Sequence, residues 1–159
     1  MKIGFIGLGN VGRKLAGSLL RNNFKLTVYD LDPKTMENLS SKGASISKNP
    51  KELTQDSDLI ITCWPSPEIC REVMESKDGV INGLTENKIW LEMSTTDENE
   101  VKRIGKLVKE KKAVALDGPV SGGCHRADTG NIAIFVGGER SAFEKIFSAL
   151  SAMGEKILH

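Results

Sequence analysis

Histidine, cysteine and aromatic side chains are scarce in this 159-residue chain, which holds two His and three Cys and has Phe, Trp and Tyr together at 5%. Cys63, Cys70 and Cys124 are too few and too irregularly spaced for a disulfide framework, and none forms a Cys-x-x-Cys pair. With only His125 and His159 beside them, the ligands for a catalytic transition metal are missing, so no metal is expected. No apolar run reaches the roughly 18 residues of a membrane span, and Met1-Lys2 leads directly into the first apolar run without a signal-peptide pattern. An excess of one charge is lacking too: 22 basic against 21 acidic residues leave a net charge of +1, with no basic block to serve as a nucleic-acid footprint. These absences predict a soluble, cytoplasmic protein with neither nucleic acid nor membrane as partner. Repeats, low-complexity tracts and Ser/Gly/Pro linkers are also absent, so residues 1–159 read as a single domain.

What is present is alternation. Short apolar runs at Ile3–Ile6, Leu26–Tyr29, Leu59–Cys63, Ile89–Met93, Val114–Leu116 and Ile132–Val136 predict strands, with weaker candidates at Ala44–Ile46 and Lys156–Leu158. Between them lie helical patterns: Val11, Leu15 and Leu19 recur every four residues, and Val101, Ile104, Leu107 and Val108 mark one face of another helix. Asn49-Pro50-x-Glu52, Thr95-x-x-Glu98 and Ser141-x-x-Glu144 each place a capping oxygen three residues before a Glu, while Asp32-Pro33 and Ser66-Pro67 are cap-then-proline starts. Strands alternating with helices predict an α/β fold, a doubly wound, mostly parallel sheet covered on both faces. A TIM barrel needs more repeats than this length supplies.

The strongest local signal is Gly7-Leu8-Gly9-Asn10-Val11-Gly12, directly after the first strand and opening the first helix. Gly7 permits the tight turn, Gly9 has no side chain to hold a pyrophosphate off the backbone, and Gly12 lets helix and strand approach closely. Free N–H groups at the helix N-terminus then face the phosphates. In this strand–turn–helix context the glycines predict a Rossmann-type dinucleotide site. Asp30, at the end of the second strand and eighteen positions after Gly12, is placed to accept bonds from the adenosine ribose hydroxyls. A carboxylate there repels the 2′-phosphate of NADP, so NAD is the expected cofactor, with NADP the lesser alternative; Lys34 is the cation that could reach such a phosphate. The plainer role for Asp30 is to cap the turn into Asp32-Pro33.

Beyond this turn the chain resembles the β-hydroxyacid dehydrogenase family, which includes 3-hydroxyisobutyrate dehydrogenase, tartronate semialdehyde reductase and, more distantly, 6-phosphogluconate dehydrogenase. The likeness runs over nearly all 159 residues. It begins at Gly4-Phe5-Ile6-Gly7-Leu8-Gly9-Asn10-Val11-Gly12, where the family usually has Met in place of Val11. It continues through Cys63-Trp64-Pro65, standing where the family shows Leu-Pro in a cofactor-contacting loop, and Glu92-Met93-Ser94-Thr95, which looks like its Asp-x-Ser-Thr segment. Asp117-Gly118-Pro119-Val120-Ser121-Gly122-Gly123, then Gly130-Asn131 and Val136-Gly137-Gly138, is close to the family's substrate signature.

The resemblance implies that Gly7, Leu8, Gly9, Asn10, Val11, Gly12, Asp30, Cys63, Trp64, Pro65, Ser94 and Thr95 contact the cofactor. It also implies that Ser121, Gly122 and Gly123 hold a substrate carboxylate, a task suited to a turn of small residues aiming several donors at an anion. The bare alternative there is a Gly-rich turn without a ligand. His125 and Arg126 fall in the same loop and read as solvated. Trp64 reads as a loop wall and Trp90 as a core strand residue.

In this family a lysine from a second, all-helical domain handles the hydroxyl proton, and no segment of that kind occurs in these residues, so no catalytic residue is assigned within this chain. Lys102, Lys106 and Lys109 on the polar face of the Val101–Val108 helix have nothing to recommend them as substitutes. An isolated domain, a truncated product and a short protein that binds NAD without turnover all remain open, as do a homo-oligomer and a partner helical domain. The expected function is the cofactor and carboxylate half of an NAD-dependent oxidoreductase acting on a small 3-hydroxy acid. The alternatives are a non-catalytic NAD-binding or sensing module and, ranked lowest, an imine- or ketone-reducing relative.

Overall fold

The computed structural model describes residues 1–159. Six strands pair in parallel in the order β3-β2-β1-β4-β5-β6, where β1 is Lys2–Ile6, β2 Lys25–Tyr29, β3 Ser45–Ile46, β4 Leu59–Thr62, β5 Ile89–Glu92 and β6 Val114–Asp117. The strand order reverses between β1 and β4, which is the switch point of a doubly wound sheet. A short strand, β9 (Gly137–Gly138), closes the far edge antiparallel to β6. Beside it β7 (Val120–Ser121) and β10 (Gly154–Leu158) flank β8 (Ile132–Phe135).

The strands form because their residues alternate between two packed faces. Ile3, Phe5, Leu59, Ile61, Ile89 and Leu91 belong to one buried cluster, while Ile6, Ile60 and Trp90 belong to the other. The first face packs against α1 (Gly12–Arg21), α2 (Pro33–Ser40), α6 (Gly123–Thr129) and α7 (Arg140–Met153), through Leu15, Leu19, Leu39, Ala127, Ile146 and Leu150. The second packs against α3 (Pro50–Gln55), α4 (Pro67–Glu75) and α5 (Glu98–Glu110), through Leu53, Cys70, Met74, Ile104 and Val108. A parallel sheet needs both faces covered, and the near-continuous apolar strands are the consequence. No helix is long and apolar enough to cross a membrane.

All eight expected strands are present within a residue or two at their ends, and the departures are local. Asp32, Asn49 and Ser66 cap α2, α3 and α4 as expected. Thr95 does not cap α5: the Asp97 side chain accepts from Glu100 N at 2.9 Å, because a carboxylate directly before the helix competes better for its first N–H groups. Ser141 does not cap α7 either, since that helix begins at Arg140 with Glu139 before it, and Glu144 pairs with Arg140 at 2.8 Å instead. The segment taken as a loop around His125 and Arg126 is the helix α6, closed by Gly130 in a left-handed conformation. Its polar exposed side chains hid it, and only Ala127 is buried. Strands β7 and β9 have two residues each, below the length at which periodicity is visible.

Candidate functional site

At the carboxyl ends of β1, β2 and β4 a crevice of about 270 Å³ opens beside the glycine turn. Open α/β sheets bind ligands at this place, because the loops on either side of the reversal diverge. Gly7 has φ of +91°, and a Cβ there would fall 2.2 Å from the Cys63 carbonyl oxygen. At Gly12 a Cβ would meet the Gly7 carbonyl oxygen at 2.0 Å, so turn and helix are in contact through backbone. Gly9 differs: a Cβ there meets nothing within 4 Å, which leaves room above the backbone for a ligand. No side chain caps α1, so its N-terminus is open to an anion.

Asp30 lies at the lip of the crevice and accepts from Leu8 N at 2.6 Å and from Asp32 N at 2.9 Å. It therefore braces the glycine turn and the entry to α2 together, filling the capping role from a place on the crevice lining. Further acceptor capacity on the same two oxygens remains for ribose hydroxyls. The rest of the lining is largely apolar, with Tyr29, Leu31, Pro65, Ile69 and Val73. Leu31 is 83% exposed at the rim of the crevice. An open glycine, an acceptor at the end of β2 and an apolar wall together fit a dinucleotide.

Six of the expected cofactor residues line the crevice or its rim: Gly7, Gly9, Asp30, Cys63, Trp64 and Pro65. Leu8 is buried and contributes its N–H to Asp30, while Asn10 is exposed and Val11 half-buried at the start of α1. Ser94 is buried, and its hydroxyl accepts from Trp64 N at 2.6 Å; Thr95 beside it is exposed. Tyr29, Leu31, Ile69 and Val73 were not anticipated. Ile69 and Val73 are four apart on α4, one position before the buried pair Cys70 and Met74, and that spacing was the available signal.

Behind the crevice lies a buried polar cluster. Glu92, 0% exposed at the end of β5, accepts from Thr62 Oγ1 at 2.7 Å, Trp64 Nε1 at 2.7 Å and Ser94 N at 2.8 Å. Burial pushes its pKa up, against the lowering effect of these bonds. Burial likewise pushes the Cys63 thiol up to about 12, so it is a packing group and not a nucleophile at neutral pH. No group of three His, Cys, Asp or Glu is placed to hold a metal ion.

Ser121, Gly122 and Gly123 are exposed where β7 turns into α6, with φ of +130° at Gly122 and +74° at Gly123. Side chains rarely adopt such angles, which is why glycines stand there. The helix that follows the turn, α6, is tied to α1, since Ser18 Oγ donates to the Ala127 carbonyl at 3.3 Å and Arg21 bonds the Asp128 carbonyl. Lys102, Lys106 and Lys109 line a separate groove of about 600 Å³ between α5 and β6, which has no residue in common with the crevice.

Comparison with known proteins agrees with this geometry. The uncharacterized oxidoreductase YkwC of Bacillus subtilis (strain 168) is 38% identical over 98% of this chain and 54% of its own length. The mitochondrial 3-hydroxyisobutyrate dehydrogenase of Rattus norvegicus is 32% identical over 99% of this chain and 47% of its own. The structure of Mycobacterium tuberculosis 3-hydroxyisobutyrate dehydrogenase with L-serine superposes with a TM-score of 0.93 at 25% identity, covering 99% of this chain and 53% of that one. The chain thus spans about half the length of the curated relatives it matches. The family model for the NAD-binding domain of 6-phosphogluconate dehydrogenase matches residues 2–159, and the chain belongs to that family.

Proposed function

We propose that this chain is the cofactor-holding half of an oxidoreductase that exchanges a hydride between NAD and a small 3-hydroxy acid. The observation that carries it is the crevice at the strand reversal, with Gly9 open above the backbone and Asp30 at its lip. The glycine turn and the start of α1 would receive the pyrophosphate, Asp30 the adenosine ribose, and the apolar wall from Tyr29 to Val73 the adenine. The nicotinamide ring, when bound, supplies the hydride acceptor. Asp30 favours NAD over NADP by charge repulsion. The turn Ser121-Gly122-Gly123 would hold the substrate carboxylate through its hydroxyl and backbone N–H groups, the task that residues of this kind can perform for an anion. The three cysteines are free thiols, the state kept in a reducing compartment, which supports a cytoplasmic setting.

A second reading, a module that binds NAD without turnover, is favoured by one observation: the turn assigned to the substrate carboxylate, Ser121-Gly122-Gly123, itself carries no lysine or histidine to take the hydroxyl proton. Calorimetric titration with NADH and with NADPH, followed by an assay of NAD reduction with 3-hydroxyisobutyrate, separates the two. Tighter binding of NADH than NADPH, with turnover appearing only when a helical partner domain is supplied, supports the enzyme half. Binding that no partner converts to turnover supports the module, and failure to bind either nucleotide refutes both. Light scattering in the same preparation reads the oligomeric state, where the resemblance leads us to expect association.

A further inference from the structure

Trp64 and Glu92 are both departures from the family pattern that the rest of the chain resembles: Trp64 stands at the Leu of Leu-Pro, and Glu92 at the Asp of Asp-x-Ser-Thr. They are 28 positions apart in sequence, yet Trp64 Nε1 donates to Glu92 Oε2 at 2.7 Å inside the protein. A leucine has no polar atom to satisfy, whereas a buried indole N–H needs an acceptor. A glutamate reaches one methylene further than an aspartate.

The contact belongs to a closed ring. Glu92 accepts from Ser94 N at 2.8 Å through its other oxygen, and Ser94 Oγ accepts from Trp64 N at 2.6 Å. Thr62 Oγ1 accepts from the Trp90 indole N–H at 2.9 Å and donates to Glu92 Oε2 at 2.7 Å. Each hydrogen-bond partner of the carboxyl group is therefore a donor, and no cation forms a salt bridge with it. The ring fixes the path of Cys63-Trp64-Pro65, which forms one wall of the crevice. It also reaches the glycine turn, because the Cys63 carbonyl lies where a Cβ on Gly7 would be, 2.2 Å away. A shift of this loop must displace the turn or open a gap against it.

We infer that Glu92 and Trp64 form a coupled pair that sets the cofactor crevice of this protein, with Glu92 as a positioning residue acting through Trp64. The inference rests on reading the crevice as the NAD site. Each residue alone is mismatched with the family version of the other. Replacing Trp64 by Leu removes one donor from a buried carboxyl group, and shortening Glu92 to Asp leaves a buried indole N–H without its acceptor. Replacing both removes the indole donor together with the longer reach that met it.

A double-mutant cycle tests this on the full chain: wild type, Trp64→Leu, Glu92→Asp and the double variant, each titrated with NADH and melted without ligand. Each single variant is expected to bind NADH about five- to thirtyfold more weakly. The double variant should return to within about threefold of wild type, a rescue that independent effects on stability would not produce. Multiplying losses in the double variant would overturn the coupling. Lower melting temperatures with unchanged NADH affinity would overturn the positioning role. Absence of NADH binding by the wild-type chain would overturn the cofactor reading and this inference together, and is distinguished from the other outcomes by the wild type alone.

Discussion

Gly7, Gly9 and Gly12 read alike in the sequence and differ in what a side chain at each would meet. Gly7→Ala puts a Cβ against the Cys63 carbonyl in a backbone conformation that alanine resists, so a loss of about 2–4 kcal/mol in urea unfolding is expected. Gly9→Val adds atoms only to open space above the turn. Its melting temperature should stay within about 2 °C of wild type while NADH affinity, measured by titration, falls at least about tenfold. A Gly9→Val variant that binds NADH normally would place the pyrophosphate elsewhere. Asp30→Asn removes the charge and keeps one acceptor for Leu8 N or Asp32 N, so the preference for NADH over NADPH should narrow by about tenfold in paired titrations. An unchanged ratio would mean that Asp30 serves the turn alone.

The elements that carry these residues are held by ends and faces. α5 starts on Asp97, and Asp97→Ala should cost about 1 kcal/mol in urea unfolding. Glu100, one turn in, accepts from Arg103 and from Arg71, and Arg103 reaches on to Glu75, so α4 and α5 are clamped together. The hydrogen bonds from Arg103 and then Arg71 hold the Glu100 carboxyl down at about 2, below its ordinary 4.5. A depressed carboxyl pKa contributes stability that is present above the ordinary value and lost as pH falls through the depressed one. Glu100→Gln should therefore melt a few degrees below wild type at pH 7, with the gap closing between about pH 4.5 and 2; a gap constant across that window would mean that the pair is not the source. This clamp was not legible in the sequence, because Arg71, Glu75, Glu100 and Arg103 look like ordinary solvated charges until two helices are laid side by side. The strands and the glycine turn were legible, since short apolar runs and a Gly spacing are local properties of the chain. Asp97 was missed for Thr95 because both precede the helix and only geometry chooses between two capping oxygens. Helix α6 was missed because it buries Ala127 alone, too little for a periodic signal. The apolar wall of the crevice depends on Ile69 and Val73 meeting Tyr29 and Leu31 from distant segments, which no local pattern announces.

At the scale of the whole molecule, the site exists only when the sheet is assembled. The crevice draws on the β1–α1 turn, the end of β2, the loop after β4 and the first turns of α4, and none of these holds its shape without the strand order that brings β2, β1 and β4 together. A nucleotide that binds there therefore binds the folded state and not the unfolded chain, and mass action stabilises the fold by RT ln(1 + [NADH]/Kd). At a NADH concentration about one hundred times its Kd the stabilisation is about 2.7 kcal/mol. For a domain of this size that corresponds to a rise in melting temperature of about 5–10 °C. The rise should grow with the logarithm of NADH concentration, be smaller with NADPH at equal concentration, and fall to about half or less in Gly9→Val, whose unliganded melting temperature is expected within about 2 °C of wild type. That combination ties the stabilisation to the crevice and not to general ionic effects of a polyanion. A melting temperature that does not respond to NADH would refute the dinucleotide site, and an equal response in Gly9→Val would move it away from the glycine turn.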